Sequence, residues 1–247
     1  MTRRARSPTA VGVVVSPAGS TKRPLTRNLT LPRNRLMRFT VSAETLRHVR
    51  PFCSTDASRP ILGGVCVETT GVVVATNGHR LLAVAPIDEY QPPTTDIIVR
   101  LPKAAPSWAI AAHFDIPDDA TDGTLGTVTY VGTKKQDVHP AVFVAGPYPY
   151  WRQTVPREVA RNHAMPPING EYLADFAACA NAGSVWVLPD VRPERAMRVE
   201  MQNRPNYLGV LMPMRADHWP AEPASIPAVL LRRPEPTVTP EPVEVAA

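Results

Sequence analysis

The sequence predicts an α+β fold made of repeated β-α-β-β units, with helices on one face of antiparallel sheets. Three observations carry this expectation. Short apolar stretches with the two-residue alternation of strands recur between residues 37 and 212, and each group of them includes one stretch with helical spacing. The grouping repeats three times over about 180 residues, the mark of an internal repeat. The chain has 247 residues and is 44% hydrophobic, enough for one large domain or two small ones around a real core.

The first unit opens at Met37, where residues 37–41 alternate as a strand. Ser42 is a plausible N-cap for a short amphipathic helix over 43–52, with Leu46 and Val49 three apart. After a turn-like 54–60, the apolar run 61–67 reads as a strand, 69–71 as a hairpin turn ending on Gly71, and 72–76 as its partner. Residues 81–85 add another strand. The second unit reads as a strand at 97–99, a helix at 102–114 with Pro102 and Pro106 near its first turn, and strands at 128–131 and 142–144. In the third, Asn169 caps an apolar helix at 170–180, and strands follow at 185–188, 196–201 and 207–212. The expected organisation is a basic disordered arm (1–36), a domain of two units (37–157), a partial domain of one unit (158–216) and a Pro-rich acidic tail (217–247).

Composition sets the flanks apart from the body. The 29 prolines make up about 12% of the chain against about 5% in average usage, and seven of them fall in residues 217–247, which carry a net charge of −3. Residues 1–38 hold nine Lys or Arg and no acid, leaving 18 basic against 22 acidic residues in the rest. Such an arm can hold phosphates by counterion release or can be a solvated leader without a partner. Its Arg-rich start also resembles an organellar transit peptide, with no further support in the chain. Met37 is itself a possible initiation site.

Several classes of chemistry are set aside. Three cysteines (Cys53, Cys66, Cys179), without a C-x-x-C pair or a nearby histidine at ligand spacing, argue against a disulfide framework or structural zinc and for a reducing compartment. The longest apolar run near the N-terminus, 11–15, is far short of the ~20 residues of a membrane span. His79 has no Ser, Cys or carboxylate at a recognisable motif spacing, so it is not read as catalytic. Asp118, Asp119 and Asp122 miss the spacing of a calcium loop and read as a surface turn. No catalytic residue, metal or cofactor is expected.

Four segments carry a resemblance. Residues 59–68 (Arg-Pro-Ile-Leu-Gly-Gly-Val-Cys-Val-Glu) and 74–81 (Val-Ala-Thr-Asn-Gly-His-Arg-Leu) resemble the start of the middle domain of bacterial DNA polymerase III beta sliding clamps, with Asn77 where that family usually has Asp. Residues 148–156 (Tyr-Pro-Tyr-Trp-Arg-Gln-Thr-Val-Pro) are similar to the loop leading out of that domain, and 210–215 (Val-Leu-Met-Pro-Met-Arg) to the family's C-terminal end. All four occur in the family's order. The resemblance covers about residues 37–216 and implies the DNA-clamp fold, though only three of the six half-domains of a clamp chain. It also implies a pocket for short peptide motifs of polymerases and repair proteins. One wall would be Leu62, Thr76, Gly78, His79, Arg80 and Leu81; the connecting loop would give Pro149, Gln153 and Thr154; the other wall would be Val210, Met212, Pro213, Met214 and Arg215. Gln153 and Thr154 stand where the family usually has Arg and Val, which removes a charge and an apolar contact. The methionines suit such a pocket, being unbranched and able to repack around inserted Leu or Phe.

Family clamps face double-stranded DNA with basic helices, a sequence-independent contact. The expected counterparts are Arg47 and Arg50 on the first helix and Lys103 on the second; the third offers Glu171 and Asp175 and no basic residue. The leading expectation is therefore a shortened, non-enzymatic, clamp-like replication or repair accessory protein, cytoplasmic and nucleoid-associated. It would bind clamp-binding peptides, form a homo-oligomer and be able to encircle DNA. The alternatives are a soluble decoy or adaptor that uses the pocket without DNA, and a small enzyme on an unrelated α+β fold.

Overall fold

The computed structural model describes residues 35–86, 90–159, 165–181, 183–192 and 194–215. Nearly all of the basic arm and the whole Pro-rich tail lie outside the described residues. Strand β1 (Leu36–Ser42) leads into helix α1 (Ala43–Val49), whose first turn is capped where Ser42 Oγ accepts the Thr45 N–H at 3.5 Å. The α-helix ends three residues before the expected boundary and tightens into a 3-10 turn, Arg50–Phe52, because Pro51 has no N–H for the preceding turn. A second 3-10 turn, Pro60–Gly63, replaces the first half of the strand expected over 61–67, so that β2 is only Val65–Val67. Strands β3 (Val73–Thr76) and β4 (Arg80–Val84) complete the unit.

The second unit departs from expectation. It consists of β5 (Ile97–Arg100), β6 (Ala111–Pro117), β7 (Leu125–Val131) and β8 (Gln136–Val144), with no helix at 102–114. Pro102 and Pro106 remove two N–H donors within five residues, and the apolar residues beyond them follow a period of two. Ala112, Phe114 and Ile116 are buried while His113 between them is exposed. Lys103, placed by the sequence on a helix, therefore sits exposed in an irregular segment. The order of helix then strands holds for the first and third groups, although no strand directly precedes the helix of the third group among the described residues, and the second group has no helix.

The third unit has α2 (Gly170–Cys179), β9 (Val185–Leu188), β10 (Met197–Met201) and β11 (Tyr207–Leu211). Asn169 Oδ1 caps α2 by accepting the Glu171 N–H at 2.9 Å, and Asn181 beyond its end adopts a left-handed φ of 47°.

The eleven strands of the described residues form one antiparallel sheet in the order β1-β6-β7-β8-β5-β2-β3-β4-β11-β10-β9. Units one and two exchange their first strands: β1 pairs with β6 of the second unit and β5 with β2 of the first. The third unit joins by its last strand, Tyr207 to Leu211 of β11 pairing with Val84 to Arg80 of β4. One face of the sheet carries both helices, with Leu46, Val49 and Phe176 in the main core. The other face holds a smaller core around Val74, Leu81, Ile98 and Val210, covered by Trp151. The central strands are buried on both faces, which is why they read as continuous apolar runs rather than alternating ones.

Candidate functional site

The β4–β11 pairing brings together stretches 130 residues apart in the sequence, with Val210 opposite Leu81 and Leu211 opposite Arg80. The turn before β4 is held by its own side chains. Asn77 Oδ1 accepts the N–H groups of His79 and Arg80, each at 3.0 Å, and Thr76 Oγ1 accepts the Gly78 N–H (3.0 Å) while donating to the Arg80 carbonyl (2.8 Å). Gly78 has φ +91°, a conformation open to glycine, and its missing side chain leaves room for the Arg59 guanidinium at the same corner. The chain leaving β11 continues along this turn, the Met212 N–H donating to the His79 carbonyl at 2.8 Å.

The third side is the 3-10 turn Trp151–Thr154, and a buried carboxylate fixes it. Glu68 Oε1 accepts from Trp151 Nε1 (2.9 Å) and Arg152 Nη1 (2.8 Å), and Oε2 accepts from Arg152 Nη2 (2.5 Å) and Thr70 Oγ1 (3.1 Å). Burial pushes the Glu68 carboxyl upward, but the hydrogen bonds from Arg152 and Trp151 outweigh it and hold the group below the usual glutamate range. The Arg152 guanidinium also lies over the Trp151 ring at 4.3 Å.

These elements enclose an apolar cleft of about 170 Å3. Leu62, Thr76, Gly78, His79, Arg80 and Leu81 form one side, Pro149, Gln153 and Thr154 the second, and Val210 and Met212 the third. Val210 and Leu81 are buried in its floor, while Met212 at its rim is 39% exposed. Pro213, Met214 and Arg215 fall outside the lining, and the Met214 N–H is taken by the Pro167 carbonyl at 2.9 Å. Tyr150 and Trp151 line the cleft although sequence reasoning did not place them there. Glu68 was equally missed as the anchor of the loop; its partners in the loop, Trp151 and Arg152, lie more than 80 residues away, and no local pattern joins them.

Arg80 lines the cleft, but its guanidinium is directed to the helices behind it. It forms an ion pair with Asp175 of α2, donates to the Pro51 carbonyl at 2.8 Å, and lies over the Phe52 and Tyr172 rings at 5.2 and 4.6 Å. His79 stacks on Tyr172 at 6.3 Å, with no hydrogen bond to its ring among the described residues. Further contacts clamp the third unit to the first: Arg204 to Glu44 (2.7 Å), His48 Nδ1 to the Tyr207 hydroxyl (2.8 Å), and Asn206 Nδ2 to the Ala85 carbonyl (3.0 Å).

The three basic residues expected to face DNA lie in one region. Arg47 donates to the carbonyls of Pro106 (2.6 Å) and Ala109 (3.1 Å), and Arg50 to those of Leu101 and Pro102 (both 3.2 Å). Both arginines thus hold the irregular segment that carries Lys103. Helix α2 presents Glu171, Ala174, Ala177 and Ala178 to solvent. Among the described residues no cluster of His, Cys, Asp and Glu is placed to hold a metal ion, and no helix is long and apolar enough to cross a membrane.

No protein-family model and no curated protein matches the chain. Solved structures do. The DNA polymerase III beta subunit of Borrelia burgdorferi, in complex with a natural product, superposes with a TM-score of 0.55 at 11% identity, covering 76% of this chain and 66% of that one. The beta chain of Streptococcus pneumoniae gives 0.55 at 13%, covering 73% and 65%. The sliding clamp of Bartonella birtlesii, bound to griselimycin, gives 0.53 at 16%, covering 78% and 70%. The chain thus spans just under two thirds of the length of the first two. The exchanged strands, the shared sheet and these superpositions together establish that the described chain has the fold of bacterial DNA polymerase III beta sliding clamps.

Proposed function

We propose that this chain is a clamp-like accessory protein of DNA replication or repair, and that its cleft receives short apolar peptide motifs of polymerases and repair factors. The observation that carries the reading is the convergence of three distant stretches on one apolar cleft at the β4–β11 joint, within a sliding-clamp fold. A cleft of about 170 Å3 is smaller than the ~300 Å3 of a typical small-molecule site and suits one or two side chains of an extended peptide. Apolar burial of that size, less the cost of ordering the peptide, gives affinities in the micromolar range.

The test is a titration with a short fluorescent peptide in which a glutamine is followed by spaced Leu and Phe. Binding in the micromolar range is expected, and Met212→Ala should weaken it by about 1–3 kcal/mol, the usual effect of truncating an interface anchor. Absence of binding at high micromolar peptide, or unchanged binding by a folded Met212→Ala protein, overturns the reading.

A second reading, a soluble adaptor or decoy that uses the cleft without DNA, is favoured by the helix faces. Arg47 and Arg50 are engaged with backbone carbonyls and α2 has no basic residue. Salt dependence separates the two. Encirclement of DNA by an oligomer predicts sequence-independent retention on circular DNA, with a log–log salt slope of about −0.9 per phosphate neutralised; the adaptor predicts none.

A further inference from the structure

The last described residues of the chain follow Met212 at the rim of the cleft. Met212 lines it, Met214 beyond is also 39% exposed, and the last described residue is Arg215. Residues 216–247 follow, and their apolar side chains concentrate in one short run, Ile226, Ala228, Val229, Leu230 and Leu231, between Pro-rich acidic flanks. An X-Pro step such as Ile226-Pro227 is compatible with binding as an extended strand, the form in which alternate side chains point to one side. Ile226, Ala228 and Leu230 would share one side, and Val229 and Leu231 the other.

We propose that residues 226–231 dock in the cleft of their own chain, as a tethered ligand that incoming peptides must displace. The proposal rests on the reading of the cleft as a peptide site. Ten residues, 216–225, separate Arg215 from Ile226. Fully extended they reach about 33 Å, ample for a return to a cleft whose rim begins three residues before Arg215. Closing so short a loop costs little more than closing a shorter one, and the tether raises the local concentration of the segment to the order of 1 mM. A segment of weak intrinsic affinity, about 100 μM, would then fill the cleft about nine tenths of the time and weaken a competing peptide about tenfold. A clamp-like cleft with Met212 exposed at its rim would in this way be shielded until a stronger motif arrives.

The experiment compares the full chain with a full-length Leu230→Asp, Leu231→Asp variant, titrating each with the same fluorescent glutamine-Leu-Phe peptide at two protein concentrations. The variant should bind about tenfold tighter at both. Equal affinity overturns the tail proposal and leaves the cleft reading intact. Tightening that vanishes on dilution assigns the segment to the cleft of a second copy, which overturns docking in the same chain. If neither protein binds the peptide, hydrogen exchange over residues 208–215 decides: faster exchange in the variant keeps the tail contact while the peptide reading falls, and unchanged exchange overturns both.

Discussion

Glu68 ties the loop side of the cleft to the end of β2. Its carboxylate is 8% exposed and takes four hydrogen bonds, two of them from one guanidinium, so the turn Trp151–Thr154 is held from beneath. Glu68→Gln keeps the volume but loses the charge and presents an NH2 to Arg152. Because Arg152 is partly exposed and solvent screens the pair, the expected cost is about 1–2 kcal/mol rather than that of a fully buried ion pair. Chemical denaturation should read that loss, and peptide affinity should fall severalfold as Pro149, Gln153 and Thr154 loosen. The wild-type carboxyl is held below its ordinary value, so its contribution is complete above that value and is lost as pH falls through the folded one. The Gln variant should therefore lose less stability than wild type on acidification below about pH 4.5.

At the scale of elements, the segment between β5 and β6 tests what decides helix against strand. Its prolines weaken a helix, yet the stronger constraint is the ladder, since β6 pairs with β1 on one side and β7 on the other through Ala111 to Asp115. Replacing Pro102 and Pro106 together by Ala should leave the far-ultraviolet helical signal of the folded protein unchanged; a gain of about two turns of helix would show that the prolines alone exclude it. Arg47→Ala, by contrast, should destabilise the fold by about 1–2 kcal/mol, because it strips hydrogen bonds from two carbonyls of that segment. Gly209 shows the same dependence on neighbours: a Cβ there would lie 2.5 Å from the Phe176 ring and 2.8 Å from Val199, so α2 packs flush on β11 only over glycine.

At the scale of the molecule, the third unit is attached by the β4–β11 ladder, by apolar packing such as Phe176 on Phe52 (4.8 Å between ring centroids), and by polar clamps around His48, Arg80 and Arg204. Burial pushes the His48 pKa below its ordinary 6.5, with Arg204 and Arg47 adding to the shift against the opposing pull of Glu44. The folded state thus binds that proton more weakly than the unfolded chain. Stability should be lost as pH falls through about 6.5 toward the folded value, and His48→Gln should flatten that part of a stability–pH profile. Arg80→Ala should cost more, about 2–4 kcal/mol, since it leaves Asp175 without its ion pair and frees the Pro51 carbonyl. A single denaturation transition moving to lower denaturant would show that all three units unfold together; two transitions would show that the third unit detaches first.

The stretches that meet at the cleft were legible only through their resemblance to a family, whereas sequence by itself determined the α+β class, most strands of the first and third units and both helix N-caps. Those features rest on local chemistry: Ser42 and Asn169 each reach an N–H within three residues, and Thr76 and Asn77 shape their own turn. Tertiary structure decided what local chemistry leaves open. The segment over 102–114 has helix-forming alanines as well as a period of two from Ala112 onward, and pairing with β1 and β7 settles that conflict as a strand from Ala111. Arg47 and Arg50 look free in sequence and are engaged by carbonyls more than 50 residues away. Glu68 and Trp151 acquire their roles by meeting across the sheet. The physical reason is common to all of these: caps and turns are satisfied within a few residues, whereas a ladder, a buried ion pair and a cleft each need a partner that only the folded chain brings within hydrogen-bonding distance.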